Sequence, residues 1–150
     1  MTLAEAYNFF ERLKNEATKK TEIKIYTKFL HTLKELNIRE FSTDEIQSIE
    51  AELDRLNLGS NPTNNKKYYT KTLTAFTNYL KEQHSLTSVG YYTNMGVSMG
   101  AAFGVVAGVI FGERFEKSMG LALGISLGMM IGIVIGRHMD SKALAEGKVY

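Results

Sequence analysis

Ten of the thirteen glycines keep a fixed spacing of four: Gly96, Gly100, Gly104, Gly108 and Gly112, then Gly120, Gly124, Gly128, Gly132 and Gly136. No other feature of the chain limits its fold so tightly. In water a glycine inside a helix costs about 1 kcal/mol relative to alanine, so soluble helices would carry ten of them badly. In hydrocarbon the balance reverses. An unpaired peptide group there costs several kcal/mol, so helix is enforced, and the missing side chain lets two helix backbones approach closely. The ladders therefore point to a bilayer.

The distribution of charge agrees. Residues 85–112 form a run of 28 without a charged side chain, and residues 118–136 a second run of 19. A bilayer core takes about 20 apolar residues per helical span, so each run fits one span and neither fits two. The first span holds Val97, Phe103, Val105, Val106, Val109, Ile110 and Phe111. The second holds Leu121, Leu123, Ile125, Leu127, Ile131, Ile133, Val134 and Ile135. At roughly −0.3 to −0.6 kcal/mol per residue near the centre, either set favours insertion by a few kcal/mol.

A single helix over 95–136 would be about 63 Å long at 1.5 Å per residue, twice the hydrocarbon thickness. It would also bury Glu113, Arg114, Glu116 and Lys117. A hairpin turning at 113–117 avoids that cost. Lys66, Lys67, Lys71 and Lys81 precede the first span and Arg137, Lys142 and Lys148 follow the second, whereas the turn has only Arg114 and Lys117. The positive-inside bias then places both ends in the cytoplasm, at a bacterial inner membrane. Residues 1–20 carry seven charges and no apolar core of signal-peptide length, so the N-terminal half is expected to stay where it is made. Tyr91 and Tyr92 suit the inner interface, and Arg137 can snorkel. Glycines every four residues advance 40° per step, so five of them cover about 160°, wider than one partner helix needs. One part is expected to close the hairpin and another to pack a neighbouring copy, giving a homo-oligomer; Ala101, Ala102, Ala107, Ala122 and Ser126 add further small surface.

Residues 1–84 are different in kind, with 13 Lys+Arg and 12 Asp+Glu. Thr2 with Glu5, and Ser42 with Glu45, read as capping boxes, and Thr21 as the cap of a helix between them. Leu3, Ala6, Tyr7, Phe10, Leu13 and Ala17 follow helical spacing. So do Ile23, Tyr26, Leu30 and Leu33, and then Ile46, Ile49, Leu53 and Leu56. Gly59-Ser60-Asn61-Pro62 reads as a loop, and a fourth helix from about Asn64 carries Tyr69, Leu73, Phe76 and Leu80. The fold class expected is all-α: a small N-terminal helical bundle followed by a transmembrane helical hairpin with GxxxG ladders. The divisions are 1–84 for the cytoplasmic domain, 85–94 for a junction and 95–136 for the hairpin, with spans of about 90–112 and 118–136. A cytoplasmic tail, 137–150, completes them.

Two resemblances add to this reading. The ladders, with the following Met139-Asp140-Ser141-Lys142-Ala143-Leu144-Ala145-Glu146-Gly147, resemble the glycine-zipper membrane-protein family over about Tyr91 to Gly147. That resemblance implies a helical hairpin, no enzyme activity and no assigned substrate. Outer-membrane relatives carry a signal peptide and often a lipid-bearing cysteine; this chain shows neither, so their location does not transfer. Residues from about Ile25 to Leu86 resemble the SAM-like core-binding domain of tyrosine recombinases. The likeness rests on Tyr26-Thr27-Lys28-Phe29-Leu30, then Phe41-Ser42-Thr43-Asp44-Glu45-Ile46, then Leu73, Phe76, Tyr79 and Leu80. It implies Lys66, Lys67 and Lys71 as phosphate contacts, and the catalytic domain of that family has no counterpart. A domain net charge of +1 suits a polyanion poorly, so these lysines read first as a solvated face.

No catalytic, cofactor or metal site is read from the sequence. Neither span holds an ionisable residue, which removes proton-relay and many coupled-transport mechanisms. Ser98, Ser118 and Ser126 could line a pore between copies, but serines in such helices usually bond their own backbone. His31 and Glu35 sit one turn apart as a surface pair, and His84 and His138 are scattered. The absence of Cys excludes thiolate zinc sites and cysteine nucleophiles. Phe9, Phe10, Tyr26, Phe29, Tyr68, Tyr69, Phe76 and Tyr79 read as core rather than as a base-stacking platform. The expected function is a non-enzymatic membrane anchor that self-associates and positions residues 1–84 for a cytoplasmic protein partner. The partners are lipid, a second copy and that protein, not nucleic acid. An oligomeric pore is the alternative, and a membrane-tethered nucleic-acid-binding module the second alternative.

Overall fold

The computed structural model describes residues 1–60, 65–112 and 117–150. Among them the regular elements are six helices: α1 (Leu3–Glu16), α2 (Lys20–Ile38), α3 (Thr43–Arg55), α4 (Asn65–His84), α5 (Tyr91–Gly112) and α6 (Lys117–Ala145). The all-α expectation holds. The chain divides into two compact units, Met1–Leu86 with Tyr150, and Thr87–Val149. Most of the expected hairpin turn, and the loop residues Asn61 and Pro62 with Asn64, lie outside the described residues.

In the first unit both capping boxes form. The Thr2 and Ser42 hydroxyls accept from the Glu5 and Glu45 amides at 3.1 and 3.3 Å, and each glutamate accepts in return from the cap residue's amide. Each box satisfies two of the amides that a helix start leaves unpaired. Thr21 does not cap α2. That helix starts earlier, with Lys19 at the cap position and no side-chain cap bond; the Lys19 carbonyl instead accepts from the Glu22 and Ile23 amides. The earlier start places Glu22 in the first turn, where its charge complements the helix dipole and meets Lys19 at 3.7 Å.

The stripes converge on one aromatic-rich core. Phe10 stacks on Phe29 with ring centroids 4.0 Å apart, and Tyr69 meets both Phe10 and Tyr26 edge-on. Leu33, Leu36, Ile49, Leu53, Phe76 and Leu80 are fully buried around them. Tyr150 belongs to this unit; it is buried, and its hydroxyl bonds the buried Thr32. Two buried polar groups are paired: the Tyr69 hydroxyl donates to the Leu58 carbonyl at 3.2 Å, and Glu52 takes two bonds of 2.7 Å from Arg55.

The second unit is the hairpin. α5 and α6 have 22 and 29 residues, so they measure about 33 and 43 Å at 1.5 Å per residue. Both are long and apolar enough to cross a membrane. α6 continues past Gly136 to Ala145, with Ala143 buried. The chain turns just beyond it at Gly147, whose φ of +66° is open to glycine at little cost. The Gly147 amide donates to the Leu144 carbonyl at 3.0 Å and the Lys148 amide to the Ala143 carbonyl at 2.9 Å, a Schellman closure. Thr87 then pairs with this end, its amide donating to the Lys148 carbonyl at 2.8 Å.

Candidate functional site

The hairpin is built with its small residues inside. In α5 the buried residues are Gly104, Gly108 and Gly112; in α6 they are Gly120, Gly124, Gly132, Gly136 and Ala143. The large apolar side chains point outward. Phe103, Val106, Ile110, Leu123, Met130, Ile131 and Val134 are each more than half exposed. Only 17% and 22% of the two most apolar windows are buried, whereas the core helix of a water-soluble protein would be mostly buried. Such a surface is stable only where the surroundings are themselves apolar.

The seam runs antiparallel. A Cβ added at Gly96 would meet Gly132, one at Gly100 would meet Gly128, one at Gly104 would meet Gly124 and one at Gly108 would meet Gly120. The reverse contacts bring in the next rung: a Cβ on Gly120, Gly124 or Gly128 would strike Gly112, Gly108 or Gly104 respectively. The obstructing atoms are backbone throughout. A Cβ at Gly120 would lie 2.7 Å from the Gly112 nitrogen, one at Gly124 2.6 Å from the Gly108 nitrogen, and one at Gly132 2.6 Å from the Gly96 carbonyl carbon. The two ends are set differently. Gly136 faces Thr93, with the Thr93 nitrogen 2.9 Å from an added Cβ, and Gly112 faces Lys117 at 3.3 Å.

All ten ladder glycines therefore face the partner helix of the same hairpin. The 160° drift read from the sequence does not turn any of them toward a neighbouring copy. A row of residues four apart is inclined to its helix axis, and two such rows laid along each other keep every member in the contact. Ala102, Ala122 and Ser126 remain outside, exposed. The serines bond their own helices, Ser98 to the Asn94 carbonyl at 3.0 Å and Ser126 to the Ala122 carbonyl at 2.8 Å. Ser118 is exposed in the first turn of α6.

Sequence reasoning missed one residue of this site. Asp140 reaches from α6 to the first turn of α5, where Oδ1 accepts from the Tyr92 amide at 3.0 Å and Oδ2 from the Thr93 amide at 2.9 Å and its hydroxyl at 2.6 Å. It thus caps α5 from the other helix, placing negative charge at the positive end of the dipole. The signal available was a helix start, Ser88-Val89-Gly90-Tyr91, with no acidic residue in the first turn. A cap supplied 47 residues later has no sequence-local signature.

The other candidates scatter. Phe10, Tyr26, Phe29, Tyr69 and Phe76 are core residues, so their ring faces are occupied. Lys66, Lys67 and Lys71 are exposed along α4, and His31 lies exposed on α2. Among the described residues no group of three acidic or histidine side chains is placed to hold a metal ion.

The fold and seam give a helical hairpin whose two helices, each long and apolar enough to cross a membrane, meet backbone to backbone. Residues 82–142 match the model of the glycine zipper membrane protein family, so the resemblance carried by the ladders is confirmed over that stretch. This is not a known enzyme family. The match does not reach residues 25–81, and the recombinase resemblance gains nothing from it. No curated protein and no solved structure matches the chain.

Proposed function

We propose that this chain is a non-enzymatic anchor of the bacterial inner membrane, with both termini cytoplasmic. Its hairpin holds the helical N-terminal unit at the membrane surface for a cytoplasmic protein partner. One observation carries the reading: the hairpin buries glycine and exposes its bulky apolar side chains, the arrangement that lipid rewards and water penalises. The ten ladder glycines act as the packing residues within each copy. Self-association between copies falls to the outer small residues, Ala102, Ala122 and Ser126, with Ala101 and Ala107 beside them. The alternative is an oligomeric pore between copies, in which the outward Ser126 would face the channel while its hydroxyl bonds its own helix.

The test is extraction and topology. The full chain should resist carbonate washing of membranes, and a reporter active only in the cytoplasm should work when fused after Tyr150. Release of the chain by carbonate refutes membrane insertion. A silent reporter at Tyr150, with an external one active at the same site, refutes the orientation. Membrane cross-linking that yields only monomer removes self-association and leaves the anchor.

A further inference from the structure

At the Thr93 end of the hairpin a shallow groove opens between the start of α5 and the last third of α6, lined by Val89, Thr93, Arg137, Asp140, Ser141 and Leu144. Arg137 is the first charged residue after the uncharged run 118–136, which sets its guanidinium at the boundary between hydrocarbon and headgroups. The carboxylate one turn away would ordinarily neutralise it. Here Asp140 has both oxygens occupied by the Tyr92 and Thr93 amides and the Thr93 hydroxyl, and among the described residues Arg137 has no ion-pair or hydrogen-bond partner. The other cations of this end are engaged: Lys148 meets Glu146 at 2.6 Å and Lys142 meets it at 4.0 Å. Ser141, beside Arg137, also keeps its hydroxyl unpartnered among the described residues. Val89 and Leu144, 73% and 67% exposed, form the apolar side of the same groove.

A fork of guanidinium donors, one hydroxyl and an apolar flank at the membrane interface match one ligand chemistry, a phosphodiester joined to acyl chains whose negative charge no headgroup cation offsets. We propose that this groove seats the headgroup of an anionic phospholipid, with the phosphate held bidentate by Arg137, the Ser141 hydroxyl donating to it, and the glycerol and first methylenes against Val89 and Leu144. Asp140 has a double part: by capping α5 it releases Arg137 from an internal pair and fixes the groove's two walls together. The proposal rests on the membrane reading above, and its test separates the two.

The full chain is reconstituted in nanodiscs of phosphatidylglycerol and phosphatidylcholine in equal amounts, and lipid retained through gentle detergent exchange is counted by native mass spectrometry. The wild type should retain phosphatidylglycerol over phosphatidylcholine by about fivefold, the preference expected for one well-placed interfacial cation. R137Q should abolish the preference while remaining carbonate-resistant and fully helical by circular dichroism; loss of carbonate resistance in the wild type would instead refute the membrane reading. R137K, which keeps the charge and loses the fork, should retain an intermediate amount. Equal retention of both lipids by the wild type overturns the proposal, as does an undiminished preference in R137Q. An undiminished preference in R137K overturns the bidentate contact and serves where R137Q does not fold. Displacement of the bound lipid by millimolar inorganic phosphate overturns the lipid as the ligand in favour of a soluble anion.

Discussion

Gly124 sits at the middle of the seam, and replacing it with leucine tests the packing directly. A Cβ there would lie 2.5 Å from the Gly108 Cα and 2.6 Å from the Gly108 nitrogen. Carbon–carbon contact is comfortable at about 3.5–4.0 Å, so the helices must part by about 1 Å. Neither obstructing atom is the end of a flexible side chain that could swing away. A gap of that size forfeits about a quarter to a half of each pair's ~0.1–0.2 kcal/mol, which over on the order of forty seam pairs is about 1–4 kcal/mol. The chain has no cysteine, so dyes attached to an introduced pair at Val97 and Ile131 report opening of the hairpin without background. In a denaturing-detergent titration of the full chain, Gly124→Leu should open at lower detergent fraction by that free energy. Two controls set the scale. Val134→Leu enlarges an exposed residue and should change stability by less than about 0.5 kcal/mol. Gly112→Ala meets its nearest atom at 3.3 Å, so a shift of a few tenths of an ångström admits it and its cost should be similarly small. Equal behaviour of Gly124→Leu and Val134→Leu would refute the backbone-to-backbone seam.

Asp140→Asn removes the charge from the cap of α5 and should weaken the first turn by about 1–2 kcal/mol, read as roughly five- to thirty-fold faster hydrogen exchange at the Tyr92 and Thr93 amides. Phe10→Ala empties the centre of the first unit, where its ring stacks on Phe29, and should cost about 3–5 kcal/mol in thermal or chemical unfolding of that unit. Burial pushes the Tyr69 hydroxyl up from 10.0 to about 12, with smaller contributions from Tyr26 and Tyr68. The unfolded chain therefore loses this proton first; the stability is intact below pH 10 and drains away between pH 10 and about 12, and Tyr69→Phe should flatten that part of an alkaline unfolding curve. Glu45 is held below its usual range by the Ser42 amide and then its hydroxyl, so the stability from this capping box is present above pH 4.5 and falls as pH drops through the lowered value; Ser42→Ala, which keeps the amide, should reduce that acid dependence, and Glu45→Gln should remove it.

Much of this protein was legible in the amino-acid order because its controlling signals are local. Two charge-free runs of 28 and 19 residues and a charged stretch between them dictate helices, a bilayer and a hairpin, whatever the rest of the chain does. The stripes through Phe10, Tyr26, Ile49 and Phe76 likewise mark core faces, because helical periodicity alone puts residues three and four apart on one side. The start of α2 and the length of α6 were less legible, since both depend on bonds that several placements satisfy about equally well. Tertiary structure alone decided the register that sets Gly96 against Gly132 and Gly108 against Gly120, and with it the fact that all ten glycines serve one hairpin. It also decided that Asp140 caps a helix 47 residues away and so leaves Arg137 without an ion-pair partner among the described residues. Periodicity fixes which residues share a face. How two faces slide and turn against each other is fixed only by the sum of close contacts across the seam, and those exist only once the helices have met.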